Sequence, residues 1–163
     1  MAIDKKNRGI RVKGIDSLKK SLTELGLKPR QQRTEINKAL RPAGMILARA
    51  MQQEYKKEFR TKGYKRKSGR TPTYKTIGVV TAKKSREPGL FVGPLKKRTT
   101  PIKVKGKDSY NLTEMQILGN AIQRPRRDIF LAAAKKTESR VLSKAEKDLD
   151  KLLDKMIKQA GFK

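Results

Sequence analysis

Between residues 31 and 60 the apolar positions Ile36, Leu40, Ala43, Leu47, Ala50, Met51, Tyr55 and Phe59 recur at intervals of three and four. They therefore share one stripe of an α-helix of about eight turns. A stripe of that length has to be covered, so the rest of the chain is constrained to elements that can pack on it. Pro42 and Gly44 fall inside the stripe. Proline has no amide to donate and crowds the preceding turn, so the spacing predicts a bend there and not an end.

Upstream, the first eight residues carry Asp4, Lys5, Lys6 and Arg8 and read as a flexible arm or the approach to a strand. Residues 9–14 alternate Ile10 and Val12 with Arg11 and Lys13, the period of a strand with one buried face. Asp16 then stands where an N-cap would accept the free amides of a short helix over residues 17–25, with Leu18, Leu22 and Leu25 as its apolar face. Gly26 suits the left-handed stop. Residues 27–30, with Pro29, read as a connector into the long helix.

Beyond Phe59 the character changes: residues 60–107 hold sixteen Lys and Arg against the single acid Glu87. Within this basic region, residues 74–82 (Ile77, Val79, Val80) and 90–92 read as strands, residues 102–104 and 110–112 as two more, and residues 62–73 and 96–101 as loops. From Asp128 onward helical spacing returns through Phe130, Ala134, Val141, Leu142, Ala145, Leu149, Leu152, Leu153, Met156, Ile157 and Ala160. Pro125 and Asp128 suit the start of this second long helix and Gly161 its end. With five acids it reads as the least basic surface. The expected fold is α+β: a small antiparallel β-sheet packed with two long helices and one short N-terminal helix. We expect a single domain over residues 1–163, divided into the arm 1–8, the strand and helices of 9–60, the basic sheet and loops of 61–122, and the C-terminal helix of 123–163.

Composition bounds what such a fold can do. Leu, Ile, Val and Phe make up only 36 of the 163 residues, which implies a thin core. The net charge of +28 is a self-repulsion that a polyanion or an acidic partner would relieve, with nucleic acid the first candidate. No run of about 18 apolar residues and no signal-peptide pattern occurs, so a soluble, intracellular protein without membrane contact is expected. The chain has no Cys and no His, which removes thiolate chemistry, the commonest general base and the commonest metal ligands. We expect no enzyme activity, no cofactor and no metal; Asp148, Asp150 and Asp154 alternate with lysines as on a solvated face with ion pairs.

Candidate contact residues follow from charge. Lys62, Lys65, Arg66, Lys67 and Arg70, then Lys83, Lys84 and Arg86, then Lys96, Lys97 and Arg98 are the expected contacts to phosphates or to acidic protein partners, with Tyr64 able to stack on a base. The sequence 67–71 (Lys-Ser-Gly-Arg-Thr) lacks the order of a phosphate-binding P-loop. Arg124-Pro125-Arg126-Arg127 reads either as a rigid entry to the last helix or as a fork of guanidinium groups for carboxylates of a neighbouring subunit, and Arg124, Pro125, Arg126 and Phe130 are the expected subunit-interface residues.

Taken in order, several short motifs resemble the tail-completion family of long-tailed bacteriophages, the head–tail joining proteins of the neck. They are Val12-Lys13-Gly14-Ile15-Asp16-Ser17-Leu18 with Leu22 and Leu25, Ala39-Leu40-Arg41-Pro42-Ala43 through Ala50, Ser68-Gly69, Val92-Gly93, Tyr110 with Glu114 and Gly119, and Arg124-Pro125 through Ala132. The chain departs from the family's pattern at Arg70-Thr71-Pro72 and at Glu114-Met115-Gln116. The resemblance implies a structural virion protein made in the host cytoplasm. It would assemble as a homo-oligomeric ring, sixfold, around the DNA path, against other neck, connector and tail proteins and with non-specific contact to packaged DNA. The alternative from charge alone is a sequence-independent nucleic-acid-binding protein of ribosomal or chromosome-packaging type.

Overall fold

A computed structural model of the chain defines residues 2–4, 9–11, 14–58, 73–81, 87–95, 101–104, 107–111 and 128–161. In chain order the elements are β1 (Ala2–Asp4), β2 (Gly9–Arg11), α1 (Ile15–Glu24), α2 (Pro29–Glu58), a 3-10 turn (Thr73–Thr76), β3 (Ile77–Thr81), β4 (Leu90–Pro94), β5 (Pro101–Val104), β6 (Lys107–Asn111) and α3 (Ile129–Gln159). The architecture is the α+β fold expected: two long helices, one short one, and antiparallel sheet.

The helix ends follow from local chemistry. Helix α1 begins two residues before the position anticipated. Its N-cap is Gly14 at φ 73°, with no side-chain cap, and Asp16 lies inside the first turn, where its charge complements the helix dipole without capping an amide. At the other end Gly26, at φ 83°, donates to Thr23 O (2.8 Å) and Leu27 N–H donates to Leu22 O (2.9 Å), the paired bonds of a Schellman stop. Helix α2 starts at Pro29 itself, where a missing amide costs nothing, and the Gln31 side chain accepts from Lys28 N–H at 2.9 Å. The connector is correspondingly shorter than the sequence suggests. Asp128 caps α3, accepting from Leu131 N–H at 3.0 Å.

Pro42 lies within α2, which continues through it without a break, on the exposed side. Gly44 has a different role from a helix breaker. It faces the sheet, where an added Cβ would stand 3.0 Å from Val79 Cγ1 and 3.3 Å from Leu90 Cδ1. Its lack of a side chain sets how closely α2 approaches β3 and β4.

The four-stranded sheet has the order β1-β2-β4-β3 and is antiparallel throughout, while β5 and β6 pair as a separate hairpin. The first residues are thus not only an arm: Ala2–Asp4 pairs with Gly9–Arg11, Ile3 opposite Ile10. Strand β3 begins at Ile77, three residues later than expected, because Thr73–Thr76 forms a 3-10 turn that places the Tyr74 ring under Lys56 Nζ, 4.1 Å from its centroid. Helix α2 packs on β3 and β4, and α3 runs alongside α2 and reaches β1. Glu54, near the end of α2, meets Lys136, near the start of α3, and α1, bound to the first turn of α2, also touches α3. The two long helices are therefore antiparallel.

Their shared seam is the core. Ile36, Leu40, Leu47, Met51 and Tyr55 of α2 and Ile129, Phe130, Val141, Ala145 and Leu149 of α3 join Ile10, Leu22, Ile77, Val79, Leu90 and Val92 in one cluster. Complete burial of a large side chain contributes about 1.5–3 kcal/mol. Ala43, Ala48, Ala50, Ala133, Ala134 and Ala145 are buried in the same cluster. A count of Leu, Ile, Val and Phe does not see them, so the core is fuller than composition implies, and small residues let the helices approach closely.

Candidate polyanion-facing surfaces

Lys62, Lys65, Arg66, Lys67, Arg70, Lys83, Lys84, Arg86, Lys96, Lys97, Arg98, Arg124, Pro125 and Arg126 lie outside the described residues. The residues that flank them are described, and the topology sorts those flanks into two groups. In the β3–β4 register Ile77 faces Pro94 at one end and Thr81 faces Leu90 at the other. The first end is tied to the last turns of α2. Gln52 Nε2 donates to Ile77 O (2.9 Å), Leu95 N–H donates to Thr76 O (3.0 Å), and Lys56 sits over Tyr74. Here the chain leaves α2 at Glu58, returns at Thr73 and leaves β4 at Leu95, and the antiparallel α3 starts after Asp128. The flanks of three basic stretches, 59–72, 96–100 and 124–127, thus gather at one end of the fold.

The fourth stretch, 82–86, is flanked at the opposite end. Gly89 N–H donates to Asn37 Oδ1 (2.8 Å), and Lys19 of α1 pairs with Glu87. Asn37 and Gln52 are fifteen residues apart on α2, so the two ends are separated by roughly 22 Å. Lys83, Lys84 and Arg86 therefore do not share an anchor with the other candidates.

The crowded end holds the one buried acid among the described residues. The Glu54 side chain is 5% exposed, and its Oε1 lies 3.4 Å from both Lys57 Nζ and Lys136 Nζ. A carboxylate in that position couples the end of α2 to the start of α3 and offsets part of the local positive potential. No sequence signal singles it out beyond its place on the apolar side of α2.

Phe130 requires a correction. It is completely buried within its own chain, in the first turn of α3, and offers no surface to a neighbour. It holds the corner from inside. On the sheet, Val80 and Phe91 are directly paired and are the exposed large apolar side chains among the described residues, the Phe91 ring lying over Gly93.

On α3, Asp150 and Asp154 are exposed, as expected of a solvated face, but the Asp148 side chain is only 12% exposed and its Oδ1 pairs with Lys144 Nζ at 2.7 Å. Among the described residues no group of three or more potential metal ligands converges, and no helix is long and apolar enough to cross a membrane. A shallow, open depression near the end of α3 is lined by Lys151, Asp154, Lys155, Lys158 and Gln159, all from that one helix, and does not enclose a ligand. Comparison of the chain with protein-family models, curated proteins and solved structures found no match.

Proposed function

We propose that this chain is a structural protein of the bacteriophage neck that completes the tail and joins it to the head, as a homo-oligomeric ring around the DNA path. The observation that carries the reading is the order and packing of elements: strand, short helix, long helix, antiparallel strands and a last long helix, the sequence in which the family's motifs run. The charge of +28 supports it, because a ring enclosing DNA gives each copy a polyanion to face. The reading involves no catalysis and no cofactor, and its partners are further copies of the chain and the neighbouring neck, connector and tail proteins.

Within that ring the basic stretches face the lumen or acidic neighbours. A map of the assembled neck with Lys62, Lys65, Arg66, Lys67, Arg70, Lys96, Lys97 and Arg98 on the outer wall, away from both, refutes this placement. Arg124 and Arg126 are the proposed subunit contacts, and charge reversal at both is expected to block assembly. The deciding experiment is direct: purified protein added to filled heads and finished tails should yield joined particles, and failure to join them overturns the neck assignment. The charge alone also favours a second reading, a dedicated nucleic-acid-binding protein. Tight DNA binding by a monomer that never forms rings would select it.

A further inference from the structure

The exposed side of α3 is sorted by charge in a way that its composition hides. Lys136, Arg140, Lys144, Lys147, Lys151, Lys155 and Lys158 follow one another at steps of three and four residues, so at 100° per residue they fall within about a 100° sector of the helix. The buried positions Val141, Ala145, Leu149, Leu152 and Met156 lie to one side of that sector. Glu146, Asp150 and the remaining cation Lys135 lie on the other flank, Asp150 about 40° from the sector's edge. Lys136 is held by Glu54 and Lys144 by Asp148. Arg140, Lys147, Lys151, Lys155 and Lys158 are exposed and make no ion pair among the described residues, and Asp154 lies at the sector's edge. From Arg140 to Lys158 the row is roughly 27 Å long.

Like charges at these spacings repel by about 0.2–0.5 kcal/mol per pair, and a face that served only solvation would relieve this by mixing in the acids the helix already has. The exposed cations of α2 make no comparable unpaired row: Lys38 pairs with Glu35, Lys57 with Glu54 and Lys56 lies over Tyr74, and the remaining Arg30, Arg41 and Arg49 are separated by two to three turns.

We infer that the cationic row of α3 is a sequence-independent contact surface for the phosphate backbone of duplex DNA. A straight row of about 27 Å matches roughly eight base pairs at 3.4 Å each. The row contains no aromatic side chain, and single-stranded nucleic acid is ordinarily held by stacking, so a stiff duplex is the better fit. It has no exposed apolar strip of the kind that inserts into a bilayer. This surface stands on the geometry of α3 and is separate from the neck assignment, whose test is particle joining.

The test uses the full chain, short duplexes of unrelated sequence and fluorescence anisotropy across a range of NaCl. Replacing Lys147, Lys151, Lys155 and Lys158 by Gln should reduce the log–log salt slope by about 3–4, since each lost phosphate contact removes about 0.9. Replacing Lys28, Arg30, Arg41 and Arg49 by Gln removes the same net charge and should change the slope by less than about 1. Arg at the four α3 positions should restore it. Circular dichroism confirms the helix, because Gln and Lys have nearly equal helix propensity. An unchanged slope in the α3 variant, or an equal loss in the α2 variant, overturns the inference. Loss of self-association with an unchanged slope also overturns it, and assigns the row to an acidic protein surface.

Discussion

Gly44 offers the sharpest test of how the helices sit on the sheet. In an ordinary helix interior, Gly→Ala stabilises by about 1 kcal/mol, because alanine has less backbone freedom to lose. Here the new methyl would stand 3.0 Å from Val79 Cγ1 and 3.3 Å from both Val79 Cγ2 and Leu90 Cδ1. Carbon atoms pack comfortably at about 3.5–4.0 Å, so the closest contact is short by about half an ångström. Leu90 can turn its terminal methyl aside. Val79, β-branched and buried on a strand, can yield only by leaving its rotamer or shifting β3, and overpacking of this kind costs about 1–3 kcal/mol. The expected net effect of Gly44→Ala is a loss of about 1 kcal/mol. Val79→Ala removes both offending methyl groups, and in that background Gly44→Ala should become stabilising by about 1 kcal/mol, a coupling of about 2 kcal/mol. Urea unfolding followed by circular dichroism at fixed salt gives each value from the midpoint and a shared slope. Stabilisation of the unaltered background by Gly44→Ala, or the same change in both backgrounds, would refute the packing argument.

Pro42→Ala restores an amide inside α2 at an exposed position and should raise stability by about 1–3 kcal/mol, read by urea titration. Asp128→Ala removes the cap that accepts from Leu131 N–H and should cost about 0.5–2 kcal/mol, recovered largely by Asp128→Asn. Glu54→Gln leaves Lys57 and Lys136 without their shared carboxylate; unfolding at low salt should come about 1–2 kcal/mol sooner, with the gap narrowing as NaCl rises. Phe130→Ala should cost about 3–5 kcal/mol of stability in the isolated chain, as a core truncation does and an interface truncation does not.

The long elements were legible because their periodicity is a direct projection of burial. Ile36, Leu40, Leu47, Met51 and Tyr55 on α2, and Val141, Ala145, Leu149 and Leu152 on α3, are buried as their spacing demands. What sequence reasoning missed depends on partners that pattern does not encode. Ala2–Asp4 is too short for a strand signal of its own and exists because Gly9–Arg11 pairs with it. Gly44 carries the mark of a helix breaker, and only the sheet across from it explains the residue. Asp16 had a cap residue's identity at the wrong register, since Gly14 starts the helix earlier. Phe130 looked available beside an Arg-Pro corner, yet the first turn of α3 points it inward. As for the candidate contacts, counting acids along α3 concealed that all its cations but Lys135 share one sector.

That sorting ties the charge of the chain to its fold. Among the described residues Gln32, Asn37, Glu54 and Thr76 are the buried polar ones, and the first two bind neighbouring segments to α2. Gln32 holds α1 by donating to Thr23 Oγ1 (2.8 Å) and Leu27 O (2.7 Å), and Asn37 holds the lead-in to β4. Of these four Glu54 alone is charged, at the end of the fold where the flanks of three basic stretches meet, and there its carboxylate meets two ammonium groups. Among the described residues no Lys or Arg is buried; burying one without a partner would cost several kcal/mol. The described cations of the helices lie on exposed or half-exposed faces instead. A scaffold arranged in this way keeps its described cations in water, which lets a core form in a chain of net charge +28.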